Sequence, residues 1–276
     1  MTTTTTGTGT PASSPGHYTF DNANPDAEQQ VRLLAEILDG HTTDVLAREG
    51  VESGWTCLDL GAGAGTIATW LAGQVSPSGL VVAVDQDPRH IRTHQLIDVR
   101  IADITVVDLG TDVYDLVHAR LLFMHLPQRE DLLRRAAAAL KPGGVLVVSD
   151  WDCRRLDEML LRSTTDVAEA FLAFQTALVG LAVDNGASAD WANRLPLAML
   201  DTGLVDVTAK VHNELWRGGE AGCLLHACNS RQMEAALLSR GVTAEQLAVL
   251  REGMADPATV AWSYPMVTAI GRRPEQ

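Results

Sequence analysis

The chain has 276 residues with 21 basic and 35 acidic side chains, and its formal net charge of −14 argues against nucleic-acid phosphates as its main ligand. With 46% hydrophobic and 20% charged residues it can bury a sizeable core, which argues against global disorder. No uninterrupted apolar run approaches the roughly 18 residues of a membrane span, and the Thr-rich start lacks the features of a secretory signal, so we expect a cytoplasmic protein.

The beginning of the chain is predicted to form a tail and a lid. Residues 1–16, rich in Thr, Ser, Gly and Pro, are typical of a disordered tail. Between residues 25 and 49 apolar side chains recur at helical spacing, which predicts two helices broken near Gly40. Residues 17–22 form an aromatic and polar cluster that contains Tyr18, directly before the first helix. Such a cluster beside a mobile helix favours a segment that closes over a ligand.

A regular alternation of strands and helices follows. Strands are predicted at residues 56–60, 80–84, 99–104, 113–119 and 145–149, and helices at 66–74, 88–97 and 128–140. The last of these helices ends at Lys141, Pro142, Gly143 and Gly144, which are typical helix-ending residues. Strands rich in Val and Leu that alternate with helices indicate a parallel sheet buried on both faces, in a doubly wound α/β fold.

The pattern changes after residue 150. Residues 156–183 are predicted to be helical, as two helices, and residues 204–215 and 259–272 are predicted to be strands with helical segments between them. The helical stretches are the expected walls of a substrate site. The sequence does not indicate which way Trp191, Trp216 and Met233 face.

The first strand runs into a glycine-rich turn, Asp-Leu-Gly-Ala-Gly-Ala-Gly-Thr from Asp59. Glycine lets the backbone turn sharply and lets a ligand approach the N–H groups at a helix N-terminus. A dinucleotide-binding oxidoreductase is one interpretation, because a G-x-G-x-x-A pattern starts at Gly63 and Asp85 lies about twenty residues on. Asp59 favours a ligand with a cationic end instead, since its carboxylate would repel a pyrophosphate.

Five motifs in chain order resemble those of the class I S-adenosylmethionine-dependent methyltransferases. They are Asp59-x-Gly61-x-Gly63-x-Gly65, the strand that ends at Asp85, the triplet Ala102-Asp103-Ile104, the strand Tyr114 to Arg120, and Leu140-Lys141-Pro142-Gly143-Gly144. The resemblance covers residues 55–151 well and the C-terminal part more loosely. It implies a mostly parallel, seven-stranded, Rossmann-like sheet with a helical N-terminal lid and helical insertions. It also implies S-adenosylmethionine as cofactor and S-adenosylhomocysteine as product.

With this resemblance, the chain divides into four parts. They are a tail (1–16), a helical lid (17–50), a cofactor-binding core (51–153), and substrate walls with the last two strands of the sheet (154–276).

Three acids end consecutive predicted strands, at the edge where α/β sheets bind ligands. Asp85 can accept both ribose hydroxyl protons, Asp103 can accept from an adenine amino group, and Ile104 can cover a face of the ring. A single Asp at a strand end is as readily a helix cap or turn former. The predicted cofactor site consists of Tyr18, Asp59, Gly61, Gly63, Gly65, Asp85, Gln86, Asp103, Ile104, Ala119 and Arg120. Ala119 and Arg120 are expected beside the methionine end, although Arg120 could pair with surface acids instead.

The predicted catalytic residues are His125 and Tyr18. His125 follows the fourth strand, and imidazole exchanges protons near neutral pH, so it is a candidate general base; the alternative is a packing or capping residue. The resemblance to the phosphobase group of methyltransferases implies that Tyr18 works with His125, or else Tyr18 only packs on the first helix. His118 is expected to face the core. Asp150, Trp151 and Asp152 lie on the same rim and would shape a substrate slot, unless Asp152 caps the next helix.

The sequence therefore predicts methyl transfer to an O, N or C nucleophile of a small molecule of secondary-metabolite type, by in-line attack on the sulfonium methyl. The alternative is an S-adenosylmethionine-binding fold that catalyses a cyclisation or rearrangement. The four cysteines are too dispersed for a zinc site or redox pair, so no metal is expected. A small-molecule substrate is the expected partner, without nucleic acid or membrane. The oligomeric state is left open, with a homodimer as one alternative.

Overall fold

The computed structural model describes residues 26–275. The helices in this range are α1 (Ala27–Arg48), α2 (Thr66–Val75), α3 (Arg129–Ala139), α4 (Thr165–Asp184), α5 (Trp191–Asp201), α6 (Ala221–Gln232), α7 (Glu234–Ser239) and α8 (Ala244–Ala255). The strands are β1 (Thr56–Leu60), β2 (Leu80–Asp85), β3 (Ile97–Ile101), β4 (Tyr114–Arg120), β5 (Leu140–Trp151), β6 (Leu160–Arg162), β7 (Val205–His212), β8 (Leu215–Arg217), β9 (Val260–Trp262) and β10 (Met266–Arg272). The predicted tail, Tyr18 and the rest of the cluster at residues 17–22 lie outside the described residues.

Seven strands form the main sheet, in the order β3-β2-β1-β4-β5-β10-β7. Strands β1 to β5 pair in parallel, and β10 pairs antiparallel with both β5 and β7. The predicted mostly parallel, seven-stranded, doubly wound sheet is therefore confirmed. Strand order reverses between β1 and β4, so the carboxyl ends of these strands open the crevice in which α/β sheets bind ligands.

Both faces of the sheet are covered, which explains the nearly continuous apolar strands. On β5, Val145 and Val147 pack with Leu46 of α1 and with α2, whereas Leu146 and Val148 pack with the cluster on the opposite face. This second cluster also contains the buried side chains of α3 and α5, and it extends between α4, α6 and α8. Because side chains alternate along a strand, successive residues at the carboxyl end of β5 also face opposite sides of the sheet.

Helix α1 is continuous through Gly40, so the predicted break is wrong. Leu38, Thr42 and Leu46 lie one turn apart and are all buried, so this stripe packs α1 against the protein across the glycine. A glycine inside a helix costs only about 1 kcal/mol relative to alanine, and the tertiary contacts exceed that cost.

The predicted helix at residues 88–97 does not form. Residues 88–96 make turns and extended chain, and none of them is fully buried. A helix there would therefore have no apolar stripe to bury, and helices in proteins depend on such packing. Strand β3 ends at Ile101, earlier than predicted, so Asp103 lies in the loop that follows the strand.

The C-terminal part differs in detail from the prediction. Residues 156–183 contain a 3-10 turn, the short strand β6 and one long helix, α4, instead of two helices. Thr164 begins α4, because its hydroxyl accepts a hydrogen bond from the Val167 N–H. Each predicted C-terminal strand is split in two, and β8 and β9 join β6 in a three-stranded antiparallel sheet that the sequence did not reveal.

Helix α4 corrects the expectation that no segment is long and apolar enough for a membrane. Over Thr165–Asp184 it passes that test by length and composition, with a mean hydropathy of 1.5. It packs against α8 and buries Phe171, Phe174 and Gln175. Packing inside the protein buries 39% of this apolar stretch, and Leu172 and Val183 remain exposed.

Candidate active site

The glycine turn after β1 leaves open space where a ligand must approach the N-terminus of α2. Gly61, Gly63 and Gly65 all have a positive φ, of 68°, 54° and 70°, which favours glycine. A Cβ on Gly63 would meet no atom within 4 Å, whereas one on Gly61 would lie 3.1 Å from Leu122 and one on Gly65 would lie 2.8 Å from Ile91. Gly61 and Gly65 are therefore needed for packing, and Gly63 faces the free side of the turn.

Asp85 ties this turn to the end of β2. The Gly63 N–H donates to Asp85 Oδ2 and the Asp87 N–H donates to Oδ1, each at 2.8 Å. Burial raises the pKa of Asp85, and these two N–H groups oppose that effect. Each carboxylate oxygen keeps a second acceptor position, so the side chain can hold the turn and still accept from ribose hydroxyls.

Asp103 and Ile104 are placed differently from each other. The Thr105 N–H and hydroxyl donate to Asp103 Oδ1 at 2.9 and 2.7 Å. These bonds lower the pKa of Asp103, and the side chain of Gln86 contributes further. Asp103 is thus a turn former, as the sequence allowed, and it remains solvent-exposed on this rim. Ile104 is 5% exposed and packs in the core, so its contact with an adenine ring stays a prediction.

Asp59 and His118 form a buried pair that sequence reasoning missed. Both residues are 2% exposed, and Nδ1 of His118 lies 2.7 Å from Oδ1 of Asp59. In the part of the chain that the structure describes, Oδ2 of Asp59 has no hydrogen-bond partner. A buried carboxylate oxygen without a donor is costly, so this atom suits the predicted cationic end of a ligand.

Arg120 connects the end of β4 to α1. Its guanidinium donates to the Thr42 hydroxyl at 2.8 Å and to Asp39 Oδ1 at 2.9 Å. Of the two alternatives left open by the sequence, the structure shows pairing with an acid, although the acid comes from α1. Ala119, beside it, is fully buried. Helix α1 therefore lies across the carboxyl edge of the sheet.

His125 lies in a 3-10 turn, Phe123–His125, directly after β4. Burial, with a smaller contribution from the Arg129 guanidinium, lowers the pKa of His125 to about 4. The imidazole is neutral near pH 7 in consequence, which is the form that can accept a proton. The packing alternative is equally compatible with a half-buried ring. The pairing with Tyr18 stays a prediction, since Tyr18 lies outside residues 26–275.

A small cavity lies beside the carboxyl end of β5, under α1. Its volume is about 10 Å³, and its walls include Trp151, Trp216 and Tyr264, with His212 and Glu214 as polar members. The rings of Trp151 and Tyr264 are 4.9 Å apart. Ile37 and Leu38 of α1 close the cavity on the other side.

The remaining residues singled out in the sequence are also placed. Trp191 is fully buried on the opposite face of the sheet, and Met233 is half-buried. Asp150 is fully buried, and Asp152 pairs with Arg154 at 2.9 Å. In the described residues, no group of three or more His, Cys, Asp or Glu side chains is arranged to hold a metal ion.

Polar side chains separate α1 from the sheet near the cavity. His41 Nε2 lies 3.2 Å from the Thr268 hydroxyl, which lies 2.8 Å from the hydroxyl of Ser149. The His41 ring also stacks on His212, with 4.2 Å between centroids. Burial lowers the pKa of His41, and His212 adds to that effect. This contact between α1 and the sheet is less apolar than the core on either side.

Residues 28–186 match the profile of a family described as a methyltransferase domain. The match spans more than half of the chain. The chain belongs to this methyltransferase family. It therefore carries an S-adenosylmethionine-dependent methyltransferase domain, as the five motifs predicted. The open side at Gly63, the free acceptor positions of Asp85 and the unpartnered oxygen of Asp59 fit this cofactor.

Two named relatives share part of the chain. "Methyltransferase GfsG" of Streptomyces halstedii is 32% identical over 165 residues, which cover 55% of this chain and 56% of that protein. "Methyltransferase str2" of Strobilurus tenacellus is 33% identical over 98 residues, which cover 34% of this chain and 35% of that protein. The chain thus spans about half the length of the first of these relatives.

The fold is shared with solved methyltransferase structures. Phosphoethanolamine N-methyltransferase 2 of Haemonchus contortus, solved with phosphomonomethylethanolamine and S-adenosylhomocysteine, aligns with a TM-score of 0.57 over 92% of this chain and 59% of that chain. Sequence identity is 14%, so the likeness shows the fold alone.

Proposed function

We propose that this protein transfers a methyl group from S-adenosylmethionine to an O, N or C nucleophile of a small molecule of secondary-metabolite type. The observation that carries the proposal is the open glycine turn between Asp85 and Asp59, at the edge where β4 and β5 end. The net charge of −14 and the aromatic cavity beside this edge support a small acceptor over a nucleic acid.

The residues in and around the turn each bind a different part of the cofactor. Asp85 accepts from the ribose, Gly63 provides room beside the backbone, and Asp59 faces the ammonium end. Gln86 and Asp103 lie on the adenine side. The cofactor supplies an activated methyl group on its sulfonium, so the protein mainly has to align the acceptor with that methyl group and exclude water.

The acceptor is proposed to bind between α1 and the end of β5. The cavity there is about 10 Å³, enough for one water molecule at most, so α1 has to move for a substrate to enter. Moving α1 away from the sheet costs less free energy here than opening an apolar core would, because His41 and Thr268 are polar and regain hydrogen bonds to water when they separate. Trp151, Trp216 and Tyr264 suit a flat or apolar acceptor.

A proton leaves the acceptor when an O–H or N–H nucleophile is methylated. The nucleophile forms a bond to the methyl carbon, the carbon–sulfur bond breaks, and its electron pair stays on sulfur. His125, which burial keeps neutral, is the proposed acceptor of the proton. Arg129 beside it disfavours the charged form, which helps the imidazole to pass the proton on.

The test begins with cofactor binding. Titration calorimetry of the purified protein with S-adenosylmethionine and S-adenosylhomocysteine is expected to show one site for each. The protein is then incubated with methyl-labelled cofactor and small-molecule extracts, and mass spectrometry identifies the labelled product. Equal amounts of labelled product and S-adenosylhomocysteine support methyl transfer. Failure to bind either ligand would refute the proposal, and an isomerised product without S-adenosylhomocysteine would favour the cyclisation alternative.

A further inference from the structure

Asp150 is a buried carboxyl group that the proposed reaction has not used. It is the penultimate residue of β5, and its side chain faces α3 and α5, on the side of the sheet opposite α1. The residue is fully buried. Such a group is costly to bury without hydrogen bonds, so its partners indicate why it is there.

The partners of Asp150 are backbone groups of the segment that carries His125. The Met124 N–H donates to Oδ2 at 3.2 Å, and the Leu122 N–H also stabilises the carboxylate. The indole N–H of Trp191 lies near the carboxyl but outside ordinary hydrogen-bond geometry, and Oδ1 has no partner within residues 26–275. One side chain thus holds two backbone N–H groups of the segment between β4 and His125.

This segment, residues 121–125, is held from several sides and is called here the 121–125 turn. Leu121 has a φ of 50°, a conformation that a branched side chain rarely adopts and that surrounding contacts must maintain. Its N–H donates to the Ser149 carbonyl at 2.8 Å, and Arg129 donates to the Phe123 carbonyl at 3.2 Å. Asp150 is the side chain that satisfies N–H groups inside the turn.

We propose that Asp150 is a positioning residue for the transfer reaction, because its hydrogen bonds fix the 121–125 turn and so fix the place of the His125 ring. The inference rests on the proposed function, since the orientation of the His125 ring matters for turnover only if that ring takes the proton from the methyl acceptor. The structural part of the inference is independent of turnover.

The protonation state of Asp150 indicates which substitution preserves its hydrogen bonds and can serve as the conservative control. Burial raises the pKa of Asp150 to about 8, against the Met124 and Leu122 N–H groups and the Arg129 guanidinium. A neutral carboxyl near pH 7 is close in shape and charge to a carboxamide, so Asp150→Asn keeps the acceptor. Asp150→Ala removes it. Asp150→Leu removes it while keeping most of the volume, and replaces the alanine variant if that one does not fold.

The first experiment needs no acceptor substrate. The ring nitrogens of His125 are followed by NMR through a pH titration of the ¹⁵N-labelled full chain, with His125→Ala to assign the signal. We expect the pKa of His125 to rise from about 4 toward its ordinary value of 6.5 in Asp150→Ala, because the loosened turn admits water. Asp150→Asn is expected to leave the titration unchanged. Asp152→Asn is the control, since that carboxylate pairs with Arg154 and does not touch the turn.

The second experiment uses the acceptor identified by methyl labelling. Asp150→Ala is expected to slow single-turnover transfer at least tenfold while the Kd for S-adenosylmethionine changes by less than about threefold, and Asp150→Asn restores the rate. In a His125→Ala background, Asp150→Ala should cost little more, because the two residues act as a unit.

The two experiments separate the possible failures. An unchanged His125 titration in Asp150→Ala would overturn the positioning role, whatever the reaction. So would a loss of rate in the His125→Ala background as large as in the wild-type background. If the titration changes as expected but His125→Ala turns over normally, the proposed base is wrong and the positioning of the turn stands.

Discussion

Asp59 on β1 and His118 on β4 lie opposite each other in direct register, and 2.7 Å separates the carboxylate oxygen from the ring nitrogen. Both residues are 2% exposed, and each keeps one polar atom without a partner in the described part of the chain. The pair therefore stabilises the fold only while both members are present. The contact of Asp59 with the cationic end of the cofactor stays a prediction.

His118→Ala is expected to destabilise the protein by about 3–5 kcal/mol, because it leaves a buried carboxylate without its partner. The free energy of unfolding in urea measures the effect. His94→Ala, at an exposed histidine that accepts from its own turn, is the control and should cost less than about 1 kcal/mol. A loss as small as that in His118→Ala would show that the pair contributes little.

Gly63→Val is expected to abolish binding of S-adenosylmethionine, because the new side chain occupies the open face of the turn. The positive φ also strains any branched residue there, so the variant loses stability by a few kcal/mol. Gly203→Val carries a similar strain, with a φ of 86° and no atom within 4 Å of the Cβ position, but it lies at the end of α5, away from the turn. Calorimetry that finds normal cofactor affinity in Gly63→Val would contradict the assignment of the turn.

Asp85→Ala should weaken S-adenosylmethionine and S-adenosylhomocysteine equally, since both contain the same ribose. Losing hydrogen bonds to a charged group is worth roughly 1.5–3 kcal/mol, or about ten- to a hundred-fold in Kd. Asp98→Ala, which removes a surface partner of Arg100, serves as the control. If calorimetry showed that the substitution changes the Kd of one ligand much more than that of the other, Asp85 would not contact the ribose.

Much of the sheet could be predicted because buried parallel strands have a distinctive composition. The runs that became β1, β2, β4 and β5 are rich in Val and Leu, and β1, β2 and β5 end in or beside glycines or acids. The sequence therefore indicated the strands and the edge at which α/β sheets bind ligands. Strands of three residues, such as β6, β8 and β9, are too short to show a period, and their sheet was missed. The helix predicted at 88–97 is absent, which shows that apolar spacing alone does not produce a helix where there is no protein surface for it to cover.

The side-chain contacts within the site could not be predicted, because they depend on how the strands are ordered and aligned with each other. A single sequence does not reveal that alignment. Asp59 and His118 are 59 residues apart, and Arg120 and Asp39 are 81 residues apart. Their pairing follows from the order of the strands and from the path of α1 across them. Asp150 was placed on the rim by its position after an apolar run, but the face it occupies requires the pleat of β5.

Stability is expected to fall as the pH drops below 6.5. Burial lowers the pKa of His125 to about 4 and that of His226 to about 3, whereas both titrate near 6.5 when unfolded. The unfolded chain therefore binds more protons in this window. As the pH falls from 6.5 toward the folded pKa, the loss of stability reaches about 3 kcal/mol for His125 and about 5 kcal/mol for His226. Asp150 acts in the other direction over an overlapping range, because its pKa is raised from about 3.8 to about 8. Its contribution is lost progressively as the pH rises between these two values, so it offsets part of the imidazole effect below pH 6.5.

Urea unfolding at pH 7.0 and 5.0 measures this dependence. His226→Phe should reduce the difference in the free energy of unfolding between pH 7.0 and 5.0, because phenylalanine does not titrate. The new ring would fit its surroundings, which are the side chains of Phe171, Phe174, Trp216 and Tyr264. His94→Gln, at an exposed histidine, should leave the difference as it is. Equal slopes in wild type and His226→Phe would show that this imidazole is not held neutral by burial.

Tyr18 and His125 are expected to act together in turnover and not in cofactor binding. Tyr18→Phe and His125→Ala should each slow single-turnover transfer to the labelled acceptor, while the Kd for S-adenosylmethionine stays within a few-fold of wild type. Two residues that act as a unit are not additive, so the double variant should lose little beyond the slower single variant. With His125 as base, the rate also falls as the pH drops through the pKa of the imidazole, which burial lowers to about 4 in the free protein.

Tyr114→Phe is the matched control for the tyrosine, since Tyr114 is buried at the start of β4, at the opposite end of that strand from the reacting edge. It should leave the rate unchanged. Losses in Tyr18→Phe and His125→Ala that simply add would show two separate roles. Wild-type rates in both single variants would make His125 a packing residue and leave catalysis to alignment of the acceptor with the methyl group.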